Sequence, residues 1–314
     1  MASAATPRLS LYEVSPRDGL QNEAAVVPTE RKAELIARLV AAGVADIEVT
    51  SFVRPRWIPQ LSDAVELVRM LPKVEGVRYW GLVPNAVGLE RAVEGGIRHV
   101  ATFLSASETH NKKNVNRTVR ESLAGVEEVI GVARDEEMSV RGYISTVFGC
   151  PYEGQVPVEN TLRIVDRLVS AGAQTISLGD TTGMANPRQV HDVIARVLAT
   201  GLPVDALAVH LHDTRGTALA NALAAWEMGV RQIDGSVGGM GGCPYAPGAS
   251  GNAASEDIVY TFEAMGVSTG IDLDRLADAG CYAEGQLGRE LPGRYHLYWK
   301  GARARLAGAA ARSA

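Results

Sequence analysis

Ala206-Leu-Ala-Val-His-Leu-His-Asp-Thr-Arg215 begins as an apolar, β-prone run and ends in charge. Side chains alternate along a strand, so His210 and His212 share a face one pleat apart. Two imidazoles at that spacing can hold one metal ion, and Asp213 with Thr214 marks the passage into a loop. An isolated His-x-His is equally compatible with two structural histidines at a strand end. The flanking sequence has to decide between them.

The strand does not stand alone. Upstream, Leu9-Ser-Leu-Tyr-Glu-Val14, Asp46 to Phe52, Arg78 to Val83, His99 to Leu104, Val140 to Phe148 and Thr175 to Asp180 all read as strands, and Gln232 to Val237 follows as the eighth. Helical runs separate them. Thr29 reads as the N-cap of a helix whose apolar face is Leu35, Ile36, Leu39 and Val40, with Gly43 as its stop. Thr118-Val-Arg-Glu121 is a capping box, and Asn186-Pro187 supplies an N-cap with a proline at the first helical position. Strand–helix units recurring at roughly thirty-residue spacing predict an α/β fold, a (β/α)8 TIM barrel of about 250 residues. A doubly wound open sheet would show a Gly-rich phosphate loop after its first strand, and here Ser15-Pro-Arg-Asp-Gly19 stands there instead. The expected division is a barrel with its following helices over 1–288 and a basic C-terminal helical extension over 289–314. That extension is read as mobile or as an oligomer contact.

Composition narrows the classes of function. The 314 residues are 46% hydrophobic and 21% charged, as expected of a globular chain with a sizeable core. A net charge of −5 argues against a nucleic-acid partner, and no apolar run reaches membrane-spanning length. Three cysteines cannot all pair, and nothing near Met1 resembles a targeting segment, so a reducing, cytoplasmic compartment is expected.

Barrel enzymes carry their chemistry at the C-terminal ends of the strands. The unusual polar residues fall there repeatedly: Arg17 and Asp18 after the first strand, Glu48 within the second, Tyr143 in the fifth, Asp180 at the end of the sixth, and His210 with His212 at the seventh. After the eighth comes Gly238-Gly-Met-Gly-Gly-Cys-Pro-Tyr-Ala-Pro-Gly-Ala-Ser-Gly-Asn252, whose glycines let the backbone approach a ligand closely and put Cys243 and Asn252 over the same mouth. Each residue alone has a structural explanation; their convergence on one end of a barrel favours a site. Asp18, His210, His212 and Asn252 form a mixed nitrogen–oxygen set that suits Mg2+ or Mn2+, although two imidazoles also accept Zn2+ or Fe2+.

These motifs together resemble the HMG-CoA lyase family of barrel metallolyases. The resemblance is carried by Ser15-Pro-Arg-Asp-Gly-Leu-Gln-Asn-Glu23, Glu48-Val-Thr-Ser-Phe52, Arg141-Gly-Tyr143, Gly149-Cys-Pro-Tyr-Glu-Gly154, His210-Leu-His-Asp-Thr214 and Gly241-Gly-Cys-Pro-Tyr245 through Gly251-Asn252. It implies metal ligation by Asp18, His210, His212 and Asn252, a catalytic arginine at Arg17, a catalytic cysteine at Cys243, and supporting acids at Glu48 and Asp180. Asp18 or His210 is the expected proton acceptor. The implied reaction is retro-Claisen cleavage of (S)-3-hydroxy-3-methylglutaryl-CoA to acetyl-CoA and acetoacetate, with an acyl-CoA substrate and a homodimer or higher homo-oligomer as the assembly.

Two other readings belong beside it. A longer 3-hydroxy-3-alkylglutaryl-CoA, such as the isohexenyl thioester, would use the same polar set with a roomier pocket. A condensing enzyme of the isopropylmalate or homocitrate synthase group would share Arg-Asp, Glu and His-x-His, but typically carries Gly-Glu-Arg-x-Gly-Asn where this chain has Gly-Gly-Cys-Pro-Tyr.

Overall fold

The computed structural model of the protein describes residues 6–242 and 251–313. Eight strands close into a parallel barrel in sequence order: β1 (Ser10–Glu13), β2 (Asp46–Ser51), β3 (Arg78–Leu82), β4 (His99–Ser105), β5 (Ser139–Ser145), β6 (Thr175–Asp180), β7 (Leu207–Leu211) and β8 (Gln232–Gly235). Closure is made by β8 returning to β1 in the register Ser10↔Gln232 to Glu13↔Gly235. Helices α1 (Thr29–Ala41), α2 (Ala64–Met70), α3 (Ala86–Gly95), α4 (Glu108–Val115), α5 (Val119–Asp135), α6 (Val158–Ala171), α7 (Pro187–Leu198), α8 (Ala218–Glu227) and α9 (Ser255–Ala264) alternate with the strands, and α10 (Leu273–Leu287) and α11 (Arg294–Ser313) follow. This is the (β/α)8 barrel with a helical extension that the strand–helix periodicity predicts.

Strand alternation divides the apolar residues between two cores. The larger lies between strands and helices, where Ile47, Val49, Val140, Ile144, Ile176, Leu178, Val209 and Ile233 meet Leu39, Ile130, Leu168 and Ile194. The smaller fills the barrel itself with Tyr12, Val14, Trp80, Leu82, Ala101 and Tyr143. Sharing that interior are buried Glu48, Arg141, His210 and Asp234, so polar side chains occupy positions where a purely structural barrel carries branched aliphatics.

Several local readings hold and several change. The Thr118–Glu121 capping box is formed, and Asn186 Oδ1 accepts the Gln189 N–H at 3.1 Å. Thr29 is not the N-cap; that position is Pro28, and the Thr29 hydroxyl donates to Asp63 Oδ2 at 2.8 Å. An additional helix, α4, precedes α5, capped by Ser107 and ended by Asn116 in the left-handed region. The fifth strand stops at Ser145 because Thr146, a buried β-branched residue, has φ 58°. Its hydroxyl lies 2.6 Å from Ser105 Oγ and donates to Ser145 O at 2.7 Å, which fixes the C-terminal ends of β4 and β5 together.

The C-terminal segment, expected to be mobile or an oligomer contact, is fastened in its first turns to α9, α10 and the turn after β8, which corrects the expectation of mobility there. Asp257 Oδ2 and Oδ1 accept the N–H groups of Arg294 and Tyr295 at 3.0 and 2.6 Å. Trp299 Nε1 donates to Asp274 Oδ1 at 2.8 Å, and Gly293 N donates to Gly238 O at 2.8 Å. The segment therefore braces the turn that leaves β8. Among the described residues, no helix is long and apolar enough to cross a membrane.

Candidate active site and metal centre

The chain leaves β1 through a single π-helical turn, Ser15–Gly19, and this turn presents Arg17 and Asp18. Asp18 N and Gly19 N both donate to Val14 O, at 2.8 and 3.1 Å, which widens the turn and swings Arg17 over the barrel mouth. Arg17 is buried and ion-paired on two sides. Its Nη1 pairs with Asp18 Oδ1, and its Nη2 donates to Glu48 Oε2 at 3.1 Å. Its Nε is 3.1 Å from Glu48 Oε1, an ion-pair contact without hydrogen-bond alignment. Glu48 Oε2 also accepts the Tyr143 hydroxyl at 2.9 Å. Burial disfavours the guanidinium charge, but Asp18 and Glu48 override it and raise the Arg17 pKa.

Asp18, His210 and His212 each offer a ligand atom, and these atoms lie within 4.8 Å of one another. His210 comes from β7 and His212 from the residue just beyond its end, where an isolated bridge pairs it with Asn252. The two Nε2 atoms face each other at 3.2 Å. One proton at most fits between two such nitrogens, and the neighbouring carboxylate is an acceptor only. Burial acts against an ionised Asp18, yet Arg17 above all, with His210 next, holds its carboxyl well below the usual range. His212 is pushed down to about 3 by burial and by His210, which keeps it neutral. Burial also opposes a charge on His210, but Asp234 outweighs it and raises the pKa. Acceptor lone pairs thus outnumber protons at one point, and a divalent cation satisfies them together. The donor set, two imidazoles and a carboxylate, fits a divalent metal.

Asn252 borders this cluster. Its Nδ2 donates to Asp18 Oδ2 at 2.8 Å and to Met240 O at 3.1 Å, so the nitrogen, not the oxygen, faces the carboxylate. Asp180 ends the neighbouring strand, its backbone oxygen accepting His212 N at 3.3 Å, while its carboxylate oxygens accept Met184 N at 2.8 Å and Ala185 N at 3.0 Å, fastening the loop after β6; burial raises its pKa. Cys243 lies outside the described residues. Cys150 is buried and accepts hydrogen bonds from Ser107 Oγ at 3.0 Å and Tyr152 N at 3.4 Å.

Sequence reading passed over Asp234 and left Arg141 without a role. They form a buried ion pair inside the barrel, and Asp234 Oδ2 lies 3.1 Å from His210 Nδ1. The signal was present: β8 places Asp234 in register with His210, and a charged residue on an inward-facing strand position needs a partner across the barrel.

The family model described as HMGL-like matches residues 8–281. The hydroxymethylglutaryl-CoA lyase YngG of Bacillus subtilis is 49% identical over 287 residues, which is 91% of this chain and 96% of that protein. The crystal structure of the Bacillus subtilis HMG-CoA lyase superposes with a TM-score of 0.92 at 48% identity, covering 93% of this chain and 98% of the other. An HMG-CoA lyase from Acinetobacter baumannii, solved with coenzyme A and 3-methylmalate, superposes with a TM-score of 0.88 at 41% identity, covering 93% and 95%. With a family match across the barrel and relatives near half identity over nine-tenths of its length, the chain belongs to the HMGL-like family of lyases.

Proposed function

We propose that the protein is a divalent-metal-dependent carbon–carbon lyase that cleaves (S)-3-hydroxy-3-methylglutaryl-CoA to acetyl-CoA and acetoacetate. One observation carries this reading: Asp18, His210 and His212 converge beside a guanidinium clamped by Glu48 at the C-terminal mouth of the barrel. The names of the relatives favour the methyl-branched thioester over longer 3-alkyl chains, and the coenzyme A in one of them supports an acyl-CoA substrate.

Asp18, His210 and His212 would hold the metal, and Asn252 would join as fourth ligand only with its amide turned so that the oxygen, rather than Nδ2, faces Asp18. When bound, the ion supplies Lewis acidity that lowers the pKa of a substrate hydroxyl. Asp18 is assigned to take the C3 hydroxyl proton, since His210 has Nε2 turned to the metal cluster and Nδ1 committed to Asp234. As that oxygen becomes the ketone of acetoacetate, the C2–C3 electron pair passes to the departing thioester. Arg17, kept charged and fixed between Asp18 and Glu48, stabilises the negative charge that develops on the thioester oxygen. Glu48 is a positioning residue for Arg17, with Tyr143 bracing it. Asp180 is assigned the upkeep of the loop after β6. Cys243 is assigned the proton delivered to C2, which releases acetyl-CoA.

Purified protein offered 3-hydroxy-3-methylglutaryl-CoA and the isohexenyl thioester in parallel tests the substrate directly. Stoichiometric acetoacetate and acetyl-CoA from the first, at the higher kcat/KM, supports the proposal. Preference for the longer thioester, or condensation of acetyl-CoA with a 2-oxo acid, overturns it.

A further inference from the structure

Arg141 and Asp234 form a buried ion pair inside the barrel that the proposed chemistry does not use. Arg141 extends from β5 across the interior, its guanidinium carbon 4.1 Å from the Tyr12 ring centroid and 5.1 Å from that of Tyr143. Its Nη2 pairs with Asp234 Oδ1 and also donates to Ser177 Oγ at 3.1 Å. Its Nη1 donates to Gln232 Oε1 at 3.4 Å. Arg141, Asp234 and His210 are all buried, so water does not compete for these groups. The second oxygen of Asp234 lies 3.1 Å from His210 Nδ1, across the β7–β8 register that pairs the two residues.

Each end of Asp234 is therefore committed. Arginine only donates, so Oδ1 is fixed as its acceptor. Oδ2 is then an acceptor directed at an imidazole nitrogen, which has to carry the proton. We propose that Asp234, anchored by Arg141, is the positioning residue that holds the His210 proton on Nδ1 and leaves the Nε2 lone pair directed at His212 and Asp18. The inference rests on the reading of His210 as a metal ligand, because only an unprotonated Nε2 can serve as one. Ser177, Gln232 and the two tyrosine rings fix the guanidinium, which fixes the carboxylate, which fixes the tautomer.

Asp234→Asn tests this sharply. Its amide oxygen has to face the guanidinium, so its NH2 group faces His210 Nδ1 and drives the proton to Nε2. Side-chain 1H–15N correlation spectra of the metal-free full-length chain, at alkaline pH where the imidazoles are neutral, should show His210 protonated at Nδ1 in the wild type and at Nε2 in the variant. Mn2+ affinity, followed by electron paramagnetic resonance, should fall about 10- to 100-fold. A folded Asp234→Asn protein that keeps the Nδ1 proton, or that binds Mn2+ as the wild type does, overturns the proposal. Should Asp234→Asn fail to fold around its unpaired guanidinium, Arg141→Met is compared with the double variant Arg141→Met/Asp234→Leu. The single variant keeps the acceptor without its anchor and should retain the Nδ1 proton with a Mn2+ affinity between those of the wild type and the double variant, whereas the double variant should lose the Nδ1 preference and bind Mn2+ most weakly. Identical tautomers in that pair also overturn the proposal. The tautomer is read without metal, so it decides the role of Asp234 independently; a wild-type chain that takes up no Mn2+ removes the metal reading instead.

Discussion

Arg17 illustrates how much of the chemistry one side chain concentrates. Its guanidinium is buried, charged and held on two sides, so it meets developing charge without reorganising. Arg17→Gln is expected to lower kcat roughly 100- to 1000-fold with a much smaller change in KM, because the thioester oxygen becomes negative only on the way to the enolate. An effect confined to KM in steady-state kinetics would reassign Arg17 to substrate binding. The two Cys-Pro-Tyr runs separate in the same way. Cys243→Ala is expected to remove nearly all turnover while leaving Mn2+ binding intact. Cys150→Ala, which removes a buried thiol bonded by Ser107, should instead lower stability by on the order of 1 kcal/mol with turnover retained. Robust turnover by the Cys243 variant would refute the assignment. Most of this site was legible in sequence, since residues that end strands announce themselves by breaking an apolar run. Asp234 showed only as an acid inside the short strand Gln232–Gly235, a sign that it needs a partner but not of which one, since Arg141 is 93 positions away.

The elements show why some segments read clearly and others did not. The strands were legible because their apolar residues alternate or run together between turn residues, whereas α4 was not. Its buried residues are His110 and Asn111, so no apolar period marks it; its caps, Ser107 and Asn116, define it instead. Thr146 was also illegible, since nothing about a threonine in an apolar run signals a positive φ. The turn that leaves β8 is held by two buried acids. Glu13 Oε1 accepts Val237 N at 3.1 Å, and Glu256, at the start of α9, accepts Gly238 N with both oxygens at 2.9 and 2.8 Å. Burial pushes the Glu256 pKa from 4.5 up to about 8. The folded-state pKa lies above the unfolded one, so the stability this group contributes is full below about 4.5 and is lost as the pH rises through about 8. Glu256→Gln should therefore flatten the fall of Tm across that interval, without abolishing it, since the pKa values of Glu13 and Asp257 are raised as well. Thermal melts of both proteins across the interval check this, and parallel curves would contradict it. Gly241 follows on the same turn with φ +102°, and a Cβ there would lie 2.8 Å from Asn252 Nδ2. Gly241→Ala should accordingly displace Asn252 and weaken Mn2+ binding in a titration, while unchanged affinity would free Asn252 of any role at the metal.

At the scale of the whole molecule, the barrel is a device for bringing distant residues to one mouth. Asp18 and Asn252 are separated by 234 positions and lie within hydrogen-bond distance. The closed parallel order of the strands makes that possible, and periodicity alone was enough to foresee it. The C-terminal segment was harder to read, because a basic, alanine-rich composition does not reveal that Gly293, Trp299 and the Asp257 cap seat it against the β8 turn. The central claim is that Asp18, His210, His212 and Asn252 hold one divalent cation on which cleavage depends. The most direct test is to titrate Mn2+ into metal-stripped wild-type and His212→Ala protein, measuring bound ion and 3-hydroxy-3-methylglutaryl-CoA cleavage on the same samples. We expect one ion per wild-type chain, with activity rising in step with occupancy, and markedly weaker binding in the variant. Full cleavage by the metal-free protein, or identical binding curves for the two proteins, would contradict the account.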